Sequence, residues 1–121
     1  MKKIAIVEDD ETIRKELVCL LKNANYDAYC IEDFSNVDES LFASNTDLVL
    51  LDINIPCLNG KEVLKKIREK SNIPVIMVTS NNNELDESLS ITYGADDYIT
   101  KPYNPNILIL RIQSVLKRCD N

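Results

Sequence analysis

Short apolar, β-prone runs recur along the chain at "IAIV" (4–7), "DAYCI" (27–31), "LVLL" (48–51), "VIMV" (75–78) and "DYIT" (97–100). Between them apolar residues return at helical spacing: Ile13, Leu17, Leu20 and Leu21; Val37 with Leu41; Val63, Leu64 and Ile67; Leu85 with Leu89; and the stretch from Ile107 to Leu116. Asn104-Pro105 reads as an N-cap followed by proline at the first helical position, which sets the start of the last helix. Strict alternation of strand and helix, with central strands apolar on both faces, predicts a parallel sheet covered by helices on both sides. The expected architecture is an α/β, (βα)5 doubly wound domain on a five-stranded parallel sheet. The polar stretch "TSNNNE" (79–84) is the one loop long enough to be mobile.

In such a sheet, functional groups collect at the carboxyl ends of the strands, beside the switch point of the strand order. Strand 1 runs into Glu8, Asp9 and Asp10, strand 3 into Asp52, strand 4 into Thr79 and Ser80, and strand 5 into Lys101 and Pro102. Asp10 taken alone is a helix N-cap, because Glu11 and Thr12 open a helix. Together these residues place two or three acids, a hydroxyl and a lysine along one edge. Clustered carboxylates raise one another's pKa values unless a cation is present, and a hard divalent ion removes the conflict. Mg²⁺, which takes few carboxylates, several waters and a phosphate oxygen, suits this set. The cluster therefore points to Mg²⁺-assisted phosphoryl chemistry, with Asp52 at the centre of the sheet as the nucleophile.

Composition narrows the chemistry further. At 121 residues the chain is one domain, and it contains no histidine, which excludes Ser-His-Asp and Cys-His nucleophiles, His-ligated metals and a phosphohistidine carrier. The four cysteines, Cys19, Cys30, Cys57 and Cys119, form no C-x-x-C pair and read as reduced thiols of a cytoplasmic protein. No apolar run approaches the ~20 residues of a membrane helix. The net charge is -6 with no basic stripe, so DNA contact would have to come from another domain.

Four motifs in order and spacing carry a family likeness: "IAIVEDDETIR" (4–14), "LVLLDINIPCLNG" (48–60), "PVIMVTS" (74–80) and "GADDYITKPY" (94–103). Over its whole length the chain resembles the receiver domain of two-component response regulators, CheY-like and flavodoxin-like in fold, and nearest to those of OmpR/PhoB-type winged-helix transcription factors. The resemblance implies that Asp52 is the phosphoacceptor for a sensor histidine kinase and that the domain is not an independent enzyme, though it assists its own phosphorylation and dephosphorylation. It implies Asp9, Asp52 and the backbone carbonyl of Asn54 as Mg²⁺ ligands, with Glu8 acting through water. Thr79 would hydrogen-bond the phosphoryl group, Lys101 would pair with its oxygens, and Tyr98 would be the aromatic switch that follows Thr79. Lys101-Pro102 would be a cis peptide bond, and Pro56 and Gly60 would shape the loop beneath Asp52. The alternative reading of Gly60 is a plain turn into the next helix.

The same resemblance implies residues 1–121 as the N-terminal receiver of a longer DNA-binding regulator, or a stand-alone receiver. It implies a homodimer through the fourth helix, fifth strand and fifth helix. Asp97 with Arg111 matches one ion pair of that face and Asp96 with Arg118 another. A third pair is lost, since Glu87 replaces a basic residue and Ile107 replaces Glu. The last helix, "NILILRIQSVL", is apolar around more of its circumference than one core stripe needs. Either Ile91, Ile107 and Leu110 enlarge a hydrophobic dimer patch, or this helix is buried more deeply in the monomer. Two other functions compete. A haloacid-dehalogenase-type phosphatase needs a second Asp two residues after its nucleophile, where Asn54 stands. A degenerate receiver acting as an interaction module would have lost an acid, the Lys or the acceptor Asp, and none is lost.

Overall fold

The computed structural model describes residues 1–53, 55, 59–79 and 94–119. Five strands, β1 (Lys3–Val7), β2 (Asp27–Cys30), β3 (Leu48–Asp52), β4 (Val75–Thr79) and β5 (Asp97–Thr100), form one sheet in the order β2-β1-β3-β4-β5. Every pairing is parallel, with Ile4 opposite Leu48, Asp52 opposite Val78 and Thr79 opposite Thr100. Helices α1 (Glu11–Asn23), α2 (Val37–Ala43), α3 (Gly60–Lys70) and a C-terminal helix (Pro105–Cys119) accompany the strands. This is the doubly wound α/β architecture expected from the alternation of apolar runs. The helix expected around Leu85 and Leu89, and the "TSNNNE" stretch beyond Thr79, lie outside the described residues.

Side chains alternate across a strand, so each strand feeds both faces of the sheet. Ile4, Ile6, Leu48, Leu50, Ile76, Val78 and Ile99 pack with α1 and the C-terminal helix through Leu17, Leu21, Leu108 and Ile112. Ala5, Val7, Val49, Leu51, Val75 and Met77 pack on the other face with α2 and α3 through Val37, Leu41, Leu64 and Ile67. All five residues of β3 and of β4 are buried, which is why those runs show no polar alternation.

The helix starts follow local chemistry. Asp10 accepts a hydrogen bond from the Ile13 N–H at 3.0 Å, and Asn59 accepts from Lys61 and Glu62 N–H at 3.1 and 3.3 Å. Asn104 accepts from the Asn106 N–H at 2.8 Å, with Pro105 at the first helical position as expected. Two helices end through asparagine in the left-handed region, α1 before Asn25 (φ 69°) and α2 before Asn45 (φ 51°), where glycine is the commoner choice.

Two tertiary contacts hold the ends of the sheet. Arg68, in the last turn of α3, donates to the carbonyls of Gly94 (2.8 Å) and Ile73 (2.6 Å) and to the carboxylate of Asp96 (2.8 Å), which also accepts from the Val75 N–H. At the opposite end Gly60 touches the residue that follows Asp52. A Cβ on Gly60 would stand 2.8 Å from both Cα and Cγ2 of Ile53, so the glycine is required by close packing of α3 on the end of β3. Gly60→Ala is therefore expected to cost about 1–3 kcal/mol by overpacking, despite alanine's better helix propensity. Urea denaturation checks this, and an unchanged or raised stability would show that the contact relaxes freely.

Candidate functional site

β1 and β3 lie side by side at the centre of the sheet, and both end in acids. Val7 pairs with Leu51, so Glu8 and Asp52 leave adjacent strands at the same level. Glu8, Asp52 and Lys101 share the strand parity of Ile6, Leu50 and Ile99, which sets all three on the α1 side of the sheet edge. Glu8 and Asp52 are each 3% exposed, an unusual burial for carboxylates that demands a partner. The Lys101 ammonium supplies it: Nζ donates to Glu8 Oε2 at 2.7 Å and to Asp52 Oδ2 at 2.9 Å. Glu8 also accepts from the Asp10 N–H at 3.1 Å, so the turn that caps α1 fixes its carboxylate.

Asp9 is exposed beside this buried pair, and one oxygen from each of Glu8, Asp9 and Asp52 lies within 4.8 Å of the others. Three hard oxygen donors at that separation fit a small divalent cation such as Mg²⁺. The Glu8 carboxyl is pushed from the usual 4.5 up to about 7, chiefly by burial and then by Asp52, against the opposing pull of Lys101 and the Asp10 N–H. Burial alone would lower Lys101, but the two carboxylates outweigh it and its pKa rises.

Thr79 and Tyr98 have the opposite parity. Thr79 is 2% exposed at the end of β4, one residue past the partner of Asp52, and its carbonyl accepts from the Lys101 N–H at 2.6 Å. Tyr98 is half-buried and packs against the α2/α3 cluster. The Lys101-Pro102 peptide bond is cis. Asn54, Pro56 and Ile91 lie outside the described residues.

A family model for the response regulator receiver domain matches residues 4–113. The chain belongs to that family. Sensory transduction protein RegX3 of Mycolicibacterium smegmatis is 40% identical over 118 residues, which are 98% of this chain and 52% of that protein. The receiver thus spans about half the length of this curated relative. Among solved structures, the N-terminal domain of the nisin resistance regulator NsrR, a lantibiotic response regulator, is 34% identical with a TM-score of 0.88, covering 96% of this chain and 98% of that one. The chemotaxis protein CheY4 of Vibrio cholerae is 26% identical with a TM-score of 0.87, covering 95% and 98%, so the fold is CheY-like. The protein is therefore the receiver of a two-component response regulator, and none of its described helices is long and apolar enough to cross a membrane.

At the receiver's other expected face, Ile107 is 44% and Leu110 59% exposed, whereas Leu108, Ile112, Val115 and Leu116 fill the core. Deeper burial in the monomer therefore does not explain the apolar character of these two positions. Arg111 donates to Asp97 at 3.0 Å within the same chain. Asp96 is engaged by Arg68, and Arg118 reaches only its backbone carbonyl, at 3.4 Å. Nothing in "KKIREK" distinguishes Arg68 from its neighbouring cations, so its bond to Asp96 within the chain was not foreseen. Of the thiols, Cys19 is exposed and Cys30 half-buried, and both are free.

A raised Glu8 pKa means that the folded chain holds this proton more tightly than the unfolded chain does. The stability it contributes is complete below about 4.5 and is lost as pH rises through about 7. Glu8→Gln cannot ionise, so without Mg²⁺ it should gain on wild type by on the order of 1–3 kcal/mol between pH 5 and pH 8. Parallel urea unfolding at both pH values measures the difference, and a gap that does not change with pH would contradict the assigned burial of charge.

Proposed function

We propose that this receiver is the phosphoacceptor switch of its regulator, with Asp52 taking a phosphoryl group from a phosphohistidine on a sensor histidine kinase. The observation that carries the reading is the bridge of Lys101 between two buried carboxylates, with a third acid within reach of both. Asp52 is held at the end of a fully buried strand, so its carboxylate is oriented before the donor arrives. A carboxylate oxygen of Asp52 attacks phosphorus in line, the P–N bond to the histidine breaks, and an acyl phosphate results. Mg²⁺, held by Asp9, Asp52 and the Asn54 carbonyl with Glu8 as an outer partner, would neutralise charge on the transferring phosphoryl oxygens.

Lys101, which already bridges Glu8 and Asp52, would gain a third acceptor, because the new group adds roughly -1.5 to -2 of charge by analogy with other phosphorylated side chains. Thr79, on the neighbouring strand end, would hydrogen-bond the phosphoryl group, and Tyr98, of the same strand parity, would be the side chain that follows it. A local charge change would thus bias a two-state element. The domain serves as a signalling switch that assists its own phosphorylation and dephosphorylation, and not as an enzyme acting on a separate substrate. We take it as the receiver part of a longer cytoplasmic DNA-binding regulator, in line with the half-length match to RegX3.

Intact mass after incubation with acetyl phosphate tests the chemistry. Wild type with Mg²⁺ should gain one phosphoryl group, and Asp52→Asn, or wild type in chelator, should gain none. A gain in Asp52→Asn would move the acceptor elsewhere.

The output surface follows from the exposed apolar pair. Ile107 and Leu110, with Ile91 beyond the described residues, form the centre of a homodimer patch bordered by Asp97 with Arg111 and by Asp96 and Arg118. Ile107→Glu should weaken self-association of the phosphorylated protein at least tenfold in sedimentation. Unchanged association would place the dimer contact on another face.

A further inference from the structure

A cleft separate from the acid cluster lies between α1 and the end of the edge strand β2. It is an open groove of 520 Å³, within the range of about 300–1,000 Å³ that small-molecule sites occupy. Its floor is apolar and polarisable: Val18 and the half-buried Cys30, with Cys19 at the side. Its rim is basic by one charge. Arg14, Lys15 and Lys22 face Glu11 and Glu32, and Lys15 is already tied to Glu11 at 3.3 Å, an exposed pair of little energetic weight. That leaves Arg14 and Lys22 against Glu32, a local positive excess on a chain of net charge -6. The Cys30 thiol registers both ends of this rim: burial pushes its pKa up, Arg14 draws it down and Glu32 raises it, so both charged groups act at its sulfur.

A helix face of this kind ordinarily carries solvated charge over a continuous apolar base. Here the aliphatic stems of Arg14, Lys15 and Lys22 wall a concavity based on Val18 and the Cys30 thiol. The volume suits a compact guest, and the charge favours an anion. We propose that the α1/β2 cleft binds a small free organic acid with an apolar body, its carboxylate or sulfonate between Arg14 and Lys22 and its body on Val18 and Cys30.

The probe is 8-anilinonaphthalene-1-sulfonate, whose fluorescence rises when its rings leave water, titrated into the full chain. The expected result is saturable enhancement at one site, at least tenfold weaker in Arg14→Glu/Lys22→Glu and displaced by octanoate. Bound dye should also slow alkylation of Cys19 and Cys30 by iodoacetamide at least threefold. Enhancement that survives the double reversal, or that is lost in Leu110→Glu, would overturn the proposal by placing the dye elsewhere. So would displacement by phosphatidylglycerol vesicles but not by octanoate, or no enhancement at all. Both substituted cations lie outside the phosphoacceptor site, so acetyl phosphate labelling of the double variant reports folding independently.

Discussion

Three carboxylates whose oxygens lie within 4.8 Å of one another, two of them buried, are a charge conflict that the rest of this structure is arranged to hold. Left in low dielectric without compensation, each would cost several kcal/mol or take up a proton. Lys101 offsets the conflict in part, with one ammonium shared between Glu8 and Asp52. A single lysine against three acids leaves a net negative edge, and burial together with the neighbouring Asp52 makes Glu8 hold its proton up to about pH 7. The site therefore carries an excess of negative charge of the kind that a hard divalent cation neutralises.

The positions of those groups are a consequence of sheet geometry. β1 and β3 are neighbours although they are not consecutive, so the acids of two distant segments, Glu8 and Asp52, end at one level. β5 delivers Lys101 from the sheet's far side, and the Lys101 N–H bond to the Thr79 carbonyl extends the ladder to the ammonium's own residue. The pleat then divides the labour: Glu8, Asp52 and Lys101 lie toward α1, while Thr79 and Tyr98 lie toward α2 and α3. A change of charge at Asp52 is thus adjacent, across one strand, to side chains that face the opposite layer.

Much of this was legible in the sequence because it rests on local pattern. Strand runs located each strand to within one residue, helical spacing marked each described helix but not all of its ends, and Asp10 and Asn104 announced their caps by residue type. The strand-end acids and Lys101 could be assembled from topology alone. What the pattern did not carry was contact between distant segments. Gly60 looked like a turn residue, and only its 2.8 Å approach to Ile53 shows that it fits α3 against the end of β3. Arg68 is one cation among several in α3, and nothing local marks it as the partner of Asp96 within the chain. Asn25 and Asn45 serve as left-handed caps where glycine was the residue to look for.

The central claim is that the acid cluster at the β1 and β3 ends is a divalent-cation site, and calorimetric titration with Mg²⁺ at neutral pH tests it most directly. The account predicts a single site in wild type, weakened at least tenfold in Asp9→Asn and in Asp52→Asn, with both variants folded. Equal affinity in all three proteins, or no binding in wild type, would contradict it.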